Sequence, residues 1–256
     1  MIESNQPGEQ PAVLYTVDGG IATITLNRPD SRNALNLAMC EGLQAAATAA
    51  RQDPEVRVVL IRAAGPVFCA GADLKERKTM DEAQVLARRM RGFFAYEAIE
   101  SLPMPVIAEV AGAAAGSGVE ITAACDFAVA TTDASFWTPE AQWGTVGATQ
   151  RLARIVGKRL AKDMMFTGRR LTAAEALDVG LVTRVVSADA LERVVAEMAA
   201  TVAKAPPLGM RLAKRCIDRG IELGPRGALA EELLAIDENL AGSDWRAGIG
   251  AFGGSK

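Results

Sequence analysis

Three short apolar runs constrain this chain more than any other feature: "VRVVLIRA" (56–63), "MPVIAEV" (104–110) and "DFAVAT" (126–131). The first is rich in valine and isoleucine, as a strand buried on both faces of a parallel sheet should be. The second reads as the next buried strand and the third as another. Between them lie helical stretches. One covers roughly 81–100, with Val85, Leu86, Met90, Phe93 and Phe94 on one face, and another follows Ser117. Strand, helix, strand, helix, strand predicts an α/β domain with right-handed crossovers.

Upstream, "VLYTV" and "IATITL" flank "DGG" and predict a β-hairpin. Asn36 is placed to cap an amphipathic helix running to about Gln52. "GPVFCAGADL" reads as a loop. From about residue 147 onward the periodicity is helical, with "LVTRVV" (181–186) as the one strand-like segment. Residues 1–11, polar and proline-containing, read as a flexible tail.

Composition removes several function classes. The net charge is −3, which gives no support to a nucleic-acid surface. Histidine is absent, which excludes Ser-His-Asp and Cys-His sites and histidine-based metal sites. Cys40, Cys69, Cys125 and Cys216 form no CxxC pair, so neither zinc nor a disulfide framework is indicated, and a reducing compartment fits. The start, "MIESNQPGEQPAV", is unlike a secretory signal, and no apolar run reaches membrane-spanning length. The expectation is a soluble cytoplasmic protein.

Three loops hold the candidate chemistry. "AGAAAGSGVE" (111–120) has neither GxxxxGK[ST] nor GxGxxG. It brings bare backbone to a helix N-terminus, which suits an anion or a carbonyl oxygen that gains charge during a reaction. Ser117-Gly118-Val119-Glu120 equally fits a capping box. "GPVFCAGADLKE" (65–76) follows the C-terminal end of a buried strand, where α/β sheets bind ligands, and Asp73 there is equally a helix cap. In "ASFWTPEAQWG" (134–144), Glu140 is either a second isolated carboxylate or the first turn of a helix after Thr-Pro.

Together with "ITLNRPDSRNAL" (24–35), the helical stretch 149–186 and "WRAGIGAF" (245–252), these segments resemble the crotonase (enoyl-CoA hydratase/isomerase) superfamily over nearly the whole chain. The resemblance implies an α/β crotonase-like spiral of β-β-α units over residues 12–195 and a helical C-terminal trimerisation region over 196–256. It implies acyl-CoA as substrate, with coenzyme A part of the substrate, no separate cofactor and no metal. Its oxyanion hole falls on the backbone N–H groups of Ala72 and Ser117, serine standing where the family usually has the middle of three glycines. Glu120 and Glu140 match the two hydratase glutamates, the first to activate water and the second to supply a proton to C2. CoA is expected along Asn33, Ala34 and Leu35, with Asp73 and Leu74 on the pantetheine path. Arg28 and Arg32 either reach phosphates or are solvated surface charges, and Trp137 and Trp143 either pack the core or shape an acyl pocket. A homotrimer or dimer of trimers is implied.

Three departures stand out, one being that Trp137 and Trp143 replace smaller residues common in the family. The segment Gly144–Gln150 is three residues shorter than the family pattern, which puts the position of Glu140 in question. The end, "AFGGSK", lacks the usual basic extension, so a contact to CoA phosphates is missing or moved. The rival readings are isomerisation, hydrolysis or lyase chemistry on acyl-CoA, or acyl-CoA binding with little turnover.

Overall fold

A computed structural model describes residues 10–251. Most of the expected N-terminal tail and the closing residues 252–256 lie outside that range. The hairpin is present: β1 (Val13–Asp18) pairs antiparallel with β2 (Ile21–Leu26). Helix α1 (Leu37–Gln52) starts at Asn36, whose side chain accepts the Met39 N–H at 3.0 Å. There follow β3 (Val58–Ala63), β4 (Val67–Cys69), α2 (Leu74–Arg77), α3 (Glu82–Glu100), β5 (Val106–Val110), β6 (Ala113–Ala115) and α4 (Ser117–Ala124). Next come β7 (Phe127–Thr131), β8 (Ser135–Trp137), a 3-10 turn at Glu140–Trp143, α5 (Gln150–Thr167), β9 (Leu171–Thr172), α6 (Ala173–Asp178) and β10 (Arg184–Val186). Helices α7 (Leu191–Lys204), α8 (Pro207–Gly220), α9 (Pro225–Ala241) and α10 (Asp244–Ala251) complete the described chain. No helix among the described residues is long and apolar enough to cross a membrane.

The strands form two sheets, one in the order β1-β2-β3-β5-β7-β10 and one in the order β4-β6-β8-β9. Each of the pairs β3–β4, β5–β6 and β7–β8 contributes one strand to each sheet before the chain turns into a helix or helical turn. These are stacked β-β-α turns of a spiral. The unbroken apolar run of β3 has a direct cause. Val59 and Ile61 point into the main core, while Val58 and Leu60 point to the opposite face, against Leu191, Val195 and Ala199 of α7.

Two readings are corrected. The loop expected over 65–74 contains β4, and β6, β8 and β9 were also invisible in the sequence. These strands are two or three residues long, too short to show a period, and β6 is three alanines, which carry no strand propensity. The buried face of α3 is not the apolar one. Leu86, Met90, Phe93 and Phe94 are exposed, whereas Arg88, Gly92, Ala95, Tyr96 and Ile99 point inward. Arg88, Gly92 and Tyr96 on the inward face line a cavity, while Ile99 packs in the core. Helix α5 is broken at Gly157 (φ 78°, ψ 152°), where two helical segments meet across a kink.

The two sheets meet α4 at close quarters. A Cβ added at Gly118 would stand 2.6 Å from the Cys69 carbonyl oxygen, a backbone atom that cannot rotate away. Gly118→Ala is therefore expected to lower stability by about 1–3 kcal/mol. The check is a lower urea midpoint at unchanged slope and fixed protein concentration. An unchanged midpoint would mean that α4 does not lean on β4 as described.

Candidate active site

Strands β4, β6 and β8 run parallel and adjacent, with Ala114 beside Cys69 and Phe136, and Ala115 beside Trp137. Their C-terminal ends therefore lie side by side. The first leads to Gly71-Ala72, the second to Gly116-Ser117 and the third to Pro139-Glu140. A hydrogen bond from the Gly116 N–H to the Trp137 carbonyl, 2.9 Å, ties the second loop to the third.

Gly116 adopts φ 47°, ψ −104°, a conformation closed to residues with a side chain. A Cβ there would also collide with Oε1 of Glu140. The glycine both turns the chain into α4 and admits the Glu140 carboxyl against the turn. Ala72, Ser117, Glu120 and Glu140 line one cavity. Among the described residues, neither the Ala72 nor the Ser117 backbone N–H has a hydrogen-bond partner. The Ser117 hydroxyl interacts with the phenol of Tyr96, which leaves the backbone beside it uncovered.

The capping box allowed by Ser117-Gly118-Val119-Glu120 is not formed, since no side chain caps α4. Glu120 reaches the other way. Its Oε2 accepts from Arg151 at 3.3 Å and its carboxylate receives the Ala148 N–H. Arg151 is held in turn by Glu100 at 2.5 Å and lies over the Tyr96 ring at 5.8 Å. Burial raises the Glu120 pKa above the ordinary 4.5, against the pull of Arg151, which favours the charged form.

Glu140 differs. Burial again comes first in raising its pKa, and the nearby charge of Glu120 adds to it, against its own backbone N–H and the guanidiniums of Arg89 and Arg77. Its Oε2 is buried without a donor among the described residues. Two carboxyls thus face one cavity with unlike support: Glu120 has cationic and N–H donors, and half of Glu140 has none. That asymmetry favours an ionised Glu120 beside a protonated Glu140.

The short 144–150 segment keeps Glu140 in this cavity. Thr145 donates its N–H to the Glu140 carbonyl at 2.9 Å, and Gly147 lies so near that an added Cβ would stand 3.1 Å from the Glu140 Cγ. The Ala148 N–H then reaches Glu120. The segment wraps both carboxyls.

Residues 16–253 match the family model described as Enoyl-CoA hydratase/isomerase. The chain belongs to the enoyl-CoA hydratase/isomerase family. It is 40% identical over 92% of its length, and 79% of the relative's, to a probable mitochondrial enoyl-CoA hydratase 2 of Arabidopsis thaliana. It is 35% identical to the short-chain-enoyl-CoA hydratase of Clostridium acetobutylicum, over 94% of each chain. The crystal structure of an enoyl-CoA hydratase from Bacillus anthracis superimposes with a TM-score of 0.91 at 37% identity, covering 94% of this chain and 95% of that one.

Within this hydratase/isomerase fold the expected CoA residues divide. Asn33 is buried; its side chain accepts the Arg28 N–H and donates to the Ala64 and Val67 carbonyls. The N–H groups of Asn33, Ala34 and Leu35 are all taken by carbonyls of the chain, so those N–H groups are not open to a ligand. Arg28 binds Asp73 at 3.0 Å, and Asp73 caps α2 through the Lys75 and Glu76 N–H groups. Burial raises the Asp73 pKa, but Arg28 and these N–H groups outweigh it and hold the carboxyl below its ordinary value. Arg32 and Leu74 are exposed. Trp137 and Trp143 stand outside the cavity lining: Trp137 is covered by the Arg170 guanidinium at 4.2 Å, and Trp143 is exposed.

Reading the sequence alone missed Tyr96, Arg151 and three arginines that line the cavity, Arg77, Arg88 and Arg89. The signal was present in "KERK" (75–78) and "ARRMR" (87–91), dense basic runs beside the loop already singled out.

Arg151 sets the charge state of Glu120, so its removal has a readable consequence. In Arg151→Gln the ionised form loses its cationic partner and the Glu120 pKa rises further. Carboxyl-carbon NMR is expected to show Glu120 titrating above 4.5 in the parent and higher still in the variant. A midpoint that stays put would show that Arg151 serves Glu97 and Glu100 alone.

Proposed function

We propose that the protein hydrates 2-enoyl-CoA thioesters. The observation that carries this reading is the pair of carboxyls, Glu120 and Glu140, in one cavity with two unpartnered backbone N–H groups. The thioester oxygen takes the Ala72 and Ser117 N–H groups, which draw electron density from the double bond and leave C3 electrophilic. Water, deprotonated by Glu120, forms the new C–O bond at C3. The electron pair of the double bond moves to an enolate held in the hole, and Glu140 delivers its proton to C2. One water is consumed, and the two glutamates exchange protonation states before the next turnover.

The signs of the pKa shifts give the pH profile. The base must be ionised, so kcat/KM falls as pH drops through a midpoint above 4.5. The acid must be protonated, so activity also falls once pH exceeds the raised pKa of the pair. Crotonyl-CoA is expected to yield 3-hydroxybutyryl-CoA. Glu120→Gln and Glu140→Gln should each lower kcat by at least about 10²-fold with smaller changes in KM. A silent Glu140→Gln beside a damaging Glu120→Gln would point to one-carboxylate chemistry such as isomerisation. That alternative has a named counterpart: a relative in Mycosarcoma maydis, 35% identical over 91% of this chain and 89% of its own, is called an enoyl-CoA isomerase/hydratase.

We also propose a homotrimer or dimer of trimers. Helices α8 and α9 leave Ile217, Ile221, Leu229, Leu233, Leu234 and Leu240 exposed, and each helix has a single buried residue. Closed symmetric assembly is the usual way to cover such a face. Sedimentation at micromolar concentration should give three or six chains per particle, and a monomer would contradict the proposal.

A further inference from the structure

We propose that the cavity selects acyl groups bearing a carboxylate beyond the double bond, held by Arg77, Arg88 and Arg89. The proposal rests on the acyl-CoA reading above and names the substrate class.

Three guanidiniums line the same cavity as the two glutamates. Their charge is poorly matched. Arg77 has no ion pair among the described residues, and its Nε is buried without an acceptor. The Arg88 side chain is 3% exposed; its Nε binds Glu76 at 3.1 Å, the Cys40 thiol lies beside it, and its Nη2 has no acceptor. Arg89 donates from Nη2 to the Val146 carbonyl and makes no ion pair among the described residues. Glu140 is the nearby carboxyl, yet its Oε2 is itself without a donor, so these guanidiniums do not hydrogen-bond that oxygen. Burial lowers the Arg77 pKa, and the positive charges of Arg88 and Arg89 lower it further; the opposing pull of Tyr96 and Glu140 does not offset them.

An acyl chain with an uncharged end would strip water from these groups and return nothing, which costs free energy. A carboxylate would meet planar donors suited to paired hydrogen bonds. The phosphates of CoA cannot take this place during turnover. Once the thioester oxygen is at Ala72 and Ser117, the whole pantetheine arm separates the phosphates from this cavity. Phe93 and Val146, which also line it, offer apolar wall for the methylenes between.

The test compares matched five-carbon thioesters. Glutaryl-CoA and valeryl-CoA are saturated, so their binding can be measured whether or not the protein hydrates anything. Wild-type protein is expected to bind glutaryl-CoA at least about tenfold more tightly, the scale of a charge-assisted contact. Arg77→Gln should erase most of that preference while leaving valeryl-CoA within about twofold, and Arg77→Lys should restore part of it. Arg89→Gln, at a more accessible position, repeats the test should Arg77→Gln fold poorly. Equal binding of the two thioesters by wild type, or equal loss of both in the variants, would overturn the proposal. Failure of glutaconyl-CoA and 2-pentenoyl-CoA to be hydrated would count against hydration alone and leave the binding comparison standing.

Discussion

The parallel pairing of β4, β6 and β8 is the constraint on which the site depends. Each of these strands has three residues, so none is stable alone. Paired, they align three strand ends and with them three loops far apart in sequence. Ala72, Ser117 and Glu140 become neighbours because Cys69, Ala115 and Trp137 end adjacent strands of one sheet. The small residues of the middle strand and of the turn into α4 follow from this arrangement. Ala114 is fully buried between its neighbours, Gly116 admits Glu140, and Gly118 admits the Cys69 carbonyl. Larger side chains would push the loops apart and dissolve the cavity.

The electrostatic layout is a second layer on that frame. Buried charge is costly unless partnered. Here Arg151 joins Glu120 to Glu97 and Glu100, and Arg28 joins the α2 cap to the loop before α1. Three buried polar atoms without a partner belong to residues that line the cavity: Oε2 of Glu140, Nε of Arg77 and Nη2 of Arg88.

Long elements were legible in the sequence because their signals are long. The hairpin, α1 with its Asn36 cap, β3, β5 and β7 all show in pattern and capping chemistry. The second sheet did not show, since two or three residues of alanine, phenylalanine or leucine carry no period. The inward face of α3 was misread for a related reason. Hydrophobicity marks Phe93 and Phe94 as core, yet the helix turns Arg88 and Tyr96 inward toward the cavity. Of the site, Glu120 was legible as an isolated carboxylate in an apolar helix. Its tie to Arg151 was not, because 31 residues, with β7, β8 and a helical turn among them, separate signal from partner.

The central claim is that two carboxyls and two backbone N–H groups add water across a double bond. It is tested most directly by turning over crotonyl-CoA in water enriched in both oxygen-18 and deuterium, with the products analysed by mass spectrometry and NMR. The account requires one oxygen-18 at C3 and one deuteron at C2 of a 3-hydroxyacyl thioester. Recovered thioester carrying deuterium at C4 and no oxygen-18, or free acid labelled in its carboxylate, would contradict it.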